Sequence, residues 1–199
     1  MTRAKIQSLT QLSLLAALIA AMTFIPNVGY INYGVSTITT IQIPVILGAI
    51  LLGPLRGAIL GAVWGVTCIL NAFILGGANL MFVNPLISLL PRILVGWLAG
   101  LAFIPLARWI KVKFFPCAIA GAIGSLLNTA LVISAIVLTG GGELVAFSGI
   151  VTGFVSFALS VNGIIEAIGS FVLVGVIGQA LLRAKVVRRA DTGEKVAGK

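Results

Sequence analysis

The sequence predicts an all-α integral membrane protein with six transmembrane helices and both termini on the cytoplasmic side. Hydrophobic residues make up 60% of the 199 residues and charged residues only 9%, whereas an ordinary soluble domain carries roughly 25% charged residues. The mean hydropathy is +1.21, and long apolar runs alternate with turn signals. This composition excludes a soluble enzyme. Since six spans of ~20 residues use about 120 residues, we expect one transmembrane domain over residues 1–183 and a basic cytoplasmic tail over residues 184–199.

Six apolar segments separated by glycine, proline and polar residues are the predicted helices. They lie at about 8–25, 37–53, 56–75, 85–107, 115–138 and 158–182. The second segment is short for a bilayer and contains Pro44. The fourth begins with Asn84-Pro85, a capping side chain followed by proline at the first helical position.

The last apolar run, from Leu144 to Leu182, is too long for one span. Its first part contains Gly149, Thr152 and Gly153. We therefore predict that this part is a short surface or re-entrant segment that precedes the sixth helix.

The basic residues predict the orientation of the helices, because cytoplasmic loops carry an excess of lysine and arginine. Twelve of the 13 basic residues lie before helix 1, between helices 2 and 3, between helices 4 and 5, or after helix 6. The three alternate loops, at about 26–36, 76–84 and 139–157, contain none. Both termini are therefore predicted to lie in the cytoplasm, and Arg92 is the one exception to the pattern.

Small residues recur on one face of several predicted helices, where they let neighbouring backbones approach closely in a membrane. On helix 3 they are Gly53, Gly57, Gly61 and Gly65. On helix 1 they are Ser13, Ala16, Ala17, Ala20 and Ala21. On helices 4 and 5 they are Gly96, Gly100, Gly121 and Ser125. Such a stripe serves packing within the bundle or docking of another membrane protein; helix 1 is the favoured docking stripe, and the sequence leaves both interpretations open.

Arg92 is the basic residue predicted inside a span. Counted from Pro85 at 1.5 Å per residue, it lies ~12 Å below the outer surface. An arginine there costs at least ~2.5 kcal/mol unless it faces a cavity or a partner. Pro91 removes one helical hydrogen bond beside it and frees the carbonyl of Ile87. Arg92 is therefore expected to contact a ligand or a group linked to it, or else to reach the outer surface or cap carbonyls within the bundle.

Three further polar residues lie at a similar depth in two other helices. If helix 6 begins near Ala158, Glu166 is ~12 Å from the outer surface, and Asn128 is ~15 Å from the outer end of helix 5. Asn162 lies one turn before Glu166 on the same face. Together with Arg92 they predict a cavity in the outer half of the bundle. The alternative is an Arg92–Glu166 ion pair that only stabilises the bundle, and the two interpretations are compatible.

The outer loops are predicted to close this cavity. The loop after helix 1 contains Tyr30, Asn32 and Tyr33, and the loop after helix 3 contains Asn79 and Asn84. Their amide and hydroxyl groups both donate and accept hydrogen bonds, so these residues are candidate ligand contacts. The two tyrosines suit anchoring at the membrane interface equally well.

The sequence lacks the sets of residues that catalysis requires. It has no histidine, four acidic residues and two cysteines, Cys68 and Cys117, so we predict neither a metal site nor a cofactor nor an enzyme. It contains no G-x-x-x-x-G-K-[ST] motif, so the chain is not expected to hydrolyse ATP alone. The basic tail is expected to meet anionic lipid rather than nucleic acid.

Size, topology and three stretches of sequence resemble the substrate-binding S components of energy-coupling factor (ECF) transporters. The stretches are LLAALIAA at 14–21, IPVILGAILLGP at 43–54 and NPLISLLPR at 84–92. The resemblance implies a vitamin-binding subunit of the bacterial plasma membrane that works with a transmembrane coupling subunit and two cytoplasmic ATPase subunits. It also implies an outward-facing cavity near the outer ends of helices 4–6, gated by the first loop, and inward release by toppling of the whole subunit.

The same resemblance implies a docking face on helix 1, where members of this family carry an Ala-x-x-x-Ala pattern that meets the coupling subunit. In this sequence the pattern occurs twice, as Ala16 with Ala20 and as Ala17 with Ala21. The register of the docking face therefore stays open.

The predicted cavity favours a small hydroxylated acid. Arg92 and the positive end of helix 4 suit a carboxylate, and the scarcity of aromatic residues disfavours a flat ring system. The sequence looks most like the pantothenate-specific members of the family. Riboflavin, a pyridoxine-type vitamin, cobalamin and niacin remain open. So do a stand-alone carrier coupled to protons through Glu166 and a purely structural subunit.

Overall fold

A computed structural model describes residues 3–33, 36–139 and 149–184, and within these ranges the chain forms six α-helices, one β-hairpin and one 3-10 segment. The elements are α1 Arg3–Phe24, β1 Tyr30–Tyr33, β2 Ser36–Thr39, α2 Gln42–Leu52, α3 Pro54–Leu75, the 3-10 segment Gly77–Val83, α4 Pro85–Trp109, α5 Phe114–Leu138 and α6 Gly149–Arg183. The predicted basic tail lies outside the described residues beyond residue 184.

Five of these helices are long and apolar enough to cross a membrane: α1, α3, α4, α5 and the part of α6 from Asn162 to Arg183. The sixth, α2, has only 11 residues. At 1.5 Å per residue it is about 16 Å long, against a hydrocarbon core of about 30 Å. The prediction of six helices is thus confirmed, whereas α2 by itself is too short to count as a span.

The predicted second helix over 37–53 is wrong at its beginning, because residues 36–39 form a strand. This strand, β2, pairs antiparallel with β1, so that Tyr30 lies opposite Thr39 and Ile31 opposite Ile38. The segment Ser36–Thr39 is rich in β-branched residues, which favour strands over helices. The helix then begins at Gln42, with Pro44 in its first turn, where proline is tolerated.

The predicted re-entrant segment before the sixth helix is also wrong. Residues Gly149, Thr152 and Gly153 belong to α6, which runs without a break for 35 residues. Glycine in a helix costs only about 1 kcal/mol relative to alanine, whereas proline costs about 3 kcal/mol, and no proline occurs between residues 149 and 183. The apolar run therefore continues as one helix of about 50 Å at 1.5 Å per residue.

The glycines of α3 let its backbone touch the backbone of α4. A Cβ atom added at Gly61 would overlap the carbonyl oxygen of Arg92, and one added at Gly65 would lie 2.8 Å from the Cα atom of Leu89. Gly57 faces Gly96 in the same way. The predicted packing role of this stripe is confirmed, and the contact fixes the position of Arg92 along α4.

Gly53, the first member of the predicted stripe, has a different role. It connects α2 to α3 with a φ of 99°, a conformation that residues other than glycine rarely adopt. A Cβ atom there would meet no atom within 4 Å. The residue is therefore required by the turn and not by helix packing.

Side-chain hydrogen bonds hold the beginning of α2 between α5 and α6. Gln42 is fully buried, and its Nε2 atom donates to Ser125 Oγ and Ser170 Oγ at 3.0 Å each. Ser125 lies on α5 and Ser170 on α6. Since the β-hairpin ends only three residues before Gln42, this contact also anchors one end of the hairpin.

We expect Gly61→Ala to destabilise the bundle, because the added Cβ would collide with the backbone of Arg92 and a backbone atom cannot rotate away. Overpacking of this kind costs roughly 1–3 kcal/mol, which thermal unfolding of the purified protein in detergent would report as a lower melting temperature.

Gly169→Ala in α6 is the matched control, since its Cβ would meet no atom within 4 Å. Alanine is favoured over glycine in a helix by about 1 kcal/mol, so this variant should melt at the same temperature or higher. Equal melting temperatures for Gly61→Ala and the unsubstituted protein would contradict the close contact between α3 and α4.

Candidate ligand-binding site

A cavity of about 610 Å³ opens where α3 ends and α4 begins, a volume within the range of small-molecule sites. Its walls come from α1, the hairpin, α3, the 3-10 segment, α4, α5 and α6. The polar and charged lining residues are Thr23, Asn27, Tyr30, Thr37, Thr39, Asn71, Asn79, Arg92, Asn128, Thr129, Asn162 and Glu166.

The guanidinium of Arg92 is buried in the α3–α4 wall of this cavity, with 5% of the residue exposed. Its Nη1 atom donates to the carbonyl of Ile87 at 2.6 Å, and Nη2 lies 3.9 Å from Cys68 Sγ. This is the carbonyl that Pro91 leaves without a helical partner. The Nε atom of Arg92 has no hydrogen-bond partner in the described part of the chain, so the side chain retains a donor and a full positive charge.

Two aromatic rings orient this guanidinium. Its central carbon lies 5.3 Å from the ring centroid of Trp64 and 5.7 Å from that of Phe82, distances typical of cation–π contacts. The indole of Trp64 is held in turn by its Nε1 atom, which donates to the Tyr30 hydroxyl at 3.2 Å.

Two side chains of α6 hold the backbone of strand β2 on the opposite wall. The amide of Thr39 donates to Glu166 Oε1 at 2.5 Å, and Asn162 Nδ2 donates to the carbonyl of Thr37 at 2.6 Å. Both α6 residues are buried, with 6% of Glu166 and 8% of Asn162 exposed. Because they lie one turn apart on one face, they contact alternate residues of the strand.

Helix α5 contributes a polar and an apolar part to the wall. Asn128 is 6% exposed, and its Oδ1 atom is buried without a hydrogen-bond partner among the described residues. Towards the end of α5 the lining becomes aliphatic, with Val132, Ile133 and Ile136. The cavity therefore offers hydrogen bonds at one level and an apolar surface beside it.

Most of the predicted site residues are brought to this cavity. Arg92, Asn128, Asn162, Glu166, Tyr30 and Asn79 all line it. Asn84 does not line it; its side chain accepts a hydrogen bond at 3.0 Å from the amide of Leu86 at the beginning of α4. Asn32 and Tyr33 lie in β1, and their side chains are outside the described part of the structure.

The alternative of an Arg92–Glu166 ion pair is not supported. In the described residues the guanidinium contacts the Ile87 carbonyl and Cys68, whereas the carboxylate accepts from Thr39. The sequence placed the two residues at one depth, but depth alone does not say towards which neighbour a side chain turns.

Several lining residues were not identified from the sequence, including Cys68, Asn71 and Phe82. Cys68 and Asn71 lie three residues apart on α3, and residues at that spacing share a helix face. A polar side chain inside the apolar run 56–75 was the available signal for Asn71. The threonines of β2 could not be found, because that segment was predicted as helix.

A family model and two known proteins each match most of this chain. The sequence model of the family described as "ECF transporter, substrate-specific component" matches residues 7–178. The chain is 34% identical over 181 residues to the "Pantothenate transporter PanT" of Leuconostoc mesenteroides subsp. mesenteroides, covering 83% of this chain and 87% of that protein. It is 28% identical over 162 residues to the "Pantothenic acid transporter PanT" of Lactococcus lactis subsp. cremoris, covering 74% of this chain and 79% of that protein.

Cys68 offers a direct test of the charge in the cavity. In a Cys117→Ala background, we expect the anionic reagent sulfonatoethyl methanethiosulfonate to modify Cys68 faster than its cationic trimethylammonium analogue. The reason is that Arg92 Nη2 lies 3.9 Å from the Cys68 sulfur. After normalisation to a small free thiol, mass spectrometry should give a rate ratio of roughly tenfold or more.

The preference should disappear in Arg92→Ala, which removes the charge but keeps the thiol. Equal rates for the two reagents in the Cys117→Ala protein would contradict an Arg92 charge that faces the cavity without an acidic partner among the described residues.

Proposed function

The chain belongs to the substrate-specific components of ECF transporters, and we propose that it captures pantothenate in the cavity lined by Arg92. It is a transporter rather than an enzyme, and a multi-pass protein of the bacterial plasma membrane. Membership of this family implies a vitamin as the substrate and the ECF module as the partner.

The single observation that carries the proposal is the charge of Arg92. The residue is 5% exposed, and no acidic side chain contacts it in the described ranges. A charged arginine at this depth in a membrane costs about 2.5–3.5 kcal/mol even on the lowest scales. An anionic ligand would offset that cost, and hydrogen bonds to charged groups are among the strong ones. Pantothenate carries one carboxylate that could occupy this position.

The rest of the lining suits the remaining groups of pantothenate. The vitamin has one amide, two hydroxyls and a geminal dimethyl group. Asn128 and Tyr30 offer hydrogen bonds to the polar groups, and Val132 and Ile133 offer an apolar surface to the methyl groups. The names printed for the two relatives support the same vitamin. Riboflavin, pyridoxine-type vitamins, cobalamin and niacin are the alternatives that a binding experiment must exclude.

We propose that transport requires the ECF module, because the 199 residues contain no nucleotide-binding loop. In this proposal a coupling subunit and two ATPases topple the loaded subunit and release the vitamin inward. In this proposal both termini lie in the cytoplasm, which requires an even number of crossings and therefore a sixth beside the five long helices. The β-hairpin together with α2 makes the second crossing, since α2 alone covers about half of the bilayer.

We further propose that Ala17 and Ala21 form the docking face of α1. Both are exposed, whereas Ala16 packs against a core cluster that contains Leu60 and Trp64. Of the two alanine registers, only the one with Ala17 and Ala21 therefore presents both small side chains at the surface, where a neighbouring helix could approach closely.

We expect Arg92→Ala to weaken pantothenate binding by the free energy of a charged hydrogen bond, about 1.5–3 kcal/mol. Isothermal titration calorimetry of the purified protein in detergent measures the affinity directly. Arg56→Ala is the matched control, because Arg56 contacts the carbonyl of Leu52 and does not line the cavity.

An unchanged affinity in a folded Arg92→Ala protein would contradict the role given to this residue. Binding of riboflavin or another vitamin in place of pantothenate would contradict the proposed substrate, but it would not contradict the family or the fold.

We expect Ala17→Leu together with Ala21→Leu to abolish uptake in cells that supply the ECF module, while vitamin binding by the isolated protein is unchanged. Bulky side chains would prevent close approach of a partner helix without touching the cavity. Ala107→Leu with Ala130→Leu, at exposed positions of α4 and α5, is the matched control and should transport normally.

Normal uptake by the Ala17/Ala21 double variant would place the docking face elsewhere. Uptake driven by a proton gradient in liposomes that contain this chain alone, and lost in Glu166→Gln, would instead support the stand-alone carrier.

A further inference from the structure

The cavity carries opposite charges on two different walls. Among its described lining residues, Arg92 is the one basic side chain and Glu166 is the one acidic side chain. Arg92 belongs to the wall built by α3, α4 and the 3-10 segment, where it contacts Trp64 and Phe82. Glu166 belongs to α6, which packs mainly on α5, α2 and β2. A ligand that places its carboxylate against Arg92 therefore directs its other end towards the α5–α6 wall.

The carboxylate of Glu166 is held at the cavity wall by Thr39 and keeps acceptor sites for a ligand. Oε1 accepts the amide hydrogen of Thr39, and the side chain of Thr39 also bonds to the carboxylate, which has about four acceptor sites in all. A carboxylate oxygen only accepts hydrogen bonds. No lysine or arginine other than Arg92 lines the cavity in the described ranges, so no cation compensates a second anion beside Glu166.

We propose that Glu166 is a specificity determinant that requires the far end of the ligand to be an uncharged hydrogen-bond donor and rejects ligands with a second anionic group there. This inference rests on the proposed function, in which Arg92 receives the carboxylate of the vitamin. Asn128 supports the same requirement, because its buried Oδ1 atom lacks a donor in the described structure. For pantothenate the far end is a primary alcohol, which donates one hydrogen bond.

The charge of Glu166 determines which derivatives of the vitamin the cavity rejects. Two like charges about 4 Å apart repel strongly near a partly buried site, enough to change a binding constant by roughly a hundredfold or more. A phosphate ester on the terminal hydroxyl would put such a charge beside Glu166. The site therefore takes the free alcohol.

The experiment compares three ligands on the full-length protein by isothermal titration calorimetry. They are pantothenate, its phosphate ester at the terminal primary hydroxyl, and the neutral acetate ester of the same hydroxyl, which adds bulk and removes the donor hydrogen but adds no charge. For the unsubstituted protein we expect the phosphate ester to bind roughly a hundredfold or more weakly than pantothenate. The acetate ester should lose roughly tenfold, the effect of one missing hydrogen bond.

Two substitutions separate the charge of Glu166 from its contact with the hairpin. Glu166→Gln keeps the length of the side chain and an oxygen that can accept from Thr39, but removes the charge. Glu166→Asp keeps the charge and shortens the side chain. We expect the preference for pantothenate over its phosphate ester to fall below about tenfold in Glu166→Gln and to persist in Glu166→Asp.

Comparable binding of pantothenate and its phosphate ester by the unsubstituted protein would overturn the inference while leaving the proposed function intact. Undiminished discrimination in Glu166→Gln would overturn it too, since size and not charge would then exclude the ester. Failure of the unsubstituted protein to bind pantothenate at all would instead overturn the proposed function. Thermal unfolding of each variant verifies that the compared proteins are folded.

Discussion

The contact between the backbones of α3 and α4 is the constraint on which the rest of the structure depends. It is possible only because α3 presents Gly57, Gly61 and Gly65 to its neighbour, and close backbone approach is the main source of helix association in lipid. The contact fixes Arg92 at the level of Gly61. It also brings Trp64, three residues further along α3, to the guanidinium, so the packing interface and the charged wall of the cavity are one assembly.

The opposite wall of the cavity depends on a β-hairpin that is packed within the helical bundle. Helix α2 has only 11 residues, and the hairpin of β1 and β2 precedes it in the chain. A two-stranded sheet is marginally stable by itself, and its backbone groups need partners away from water. Glu166 and Asn162 supply two of them, while Gln42 holds the end of the hairpin. Polar residues of α6 thus stabilise a cavity wall and line the cavity together.

The grouping of the polar residues could be predicted from the sequence, and the directions of their side chains could not. Helical rise is constant, so counting along helices 4, 5 and 6 from their predicted outer ends grouped Arg92, Asn128, Asn162 and Glu166, and all four line the cavity, although α6 begins at Gly149 and not near Ala158. Whether Arg92 faces Glu166 depends on helix rotation and neighbours, which a single sequence does not contain. The hairpin was missed because Ile38 and the threonines around it extend the apolar run of α2. The choice between Ala16 and Ala17 likewise required the neighbours of α1.

The hydrogen bond between Arg92 and the Ile87 carbonyl has a consequence for how tightly a small ligand can bind. Pro91 withholds the amide hydrogen that this carbonyl would accept, and the vacant acceptor holds the guanidinium in place before any ligand arrives. The conformational entropy of a long, flexible side chain is therefore lost during folding and not during association. A preorganised site needs less contact area for a given affinity, which is how a ligand of few atoms can be retained from dilute surroundings.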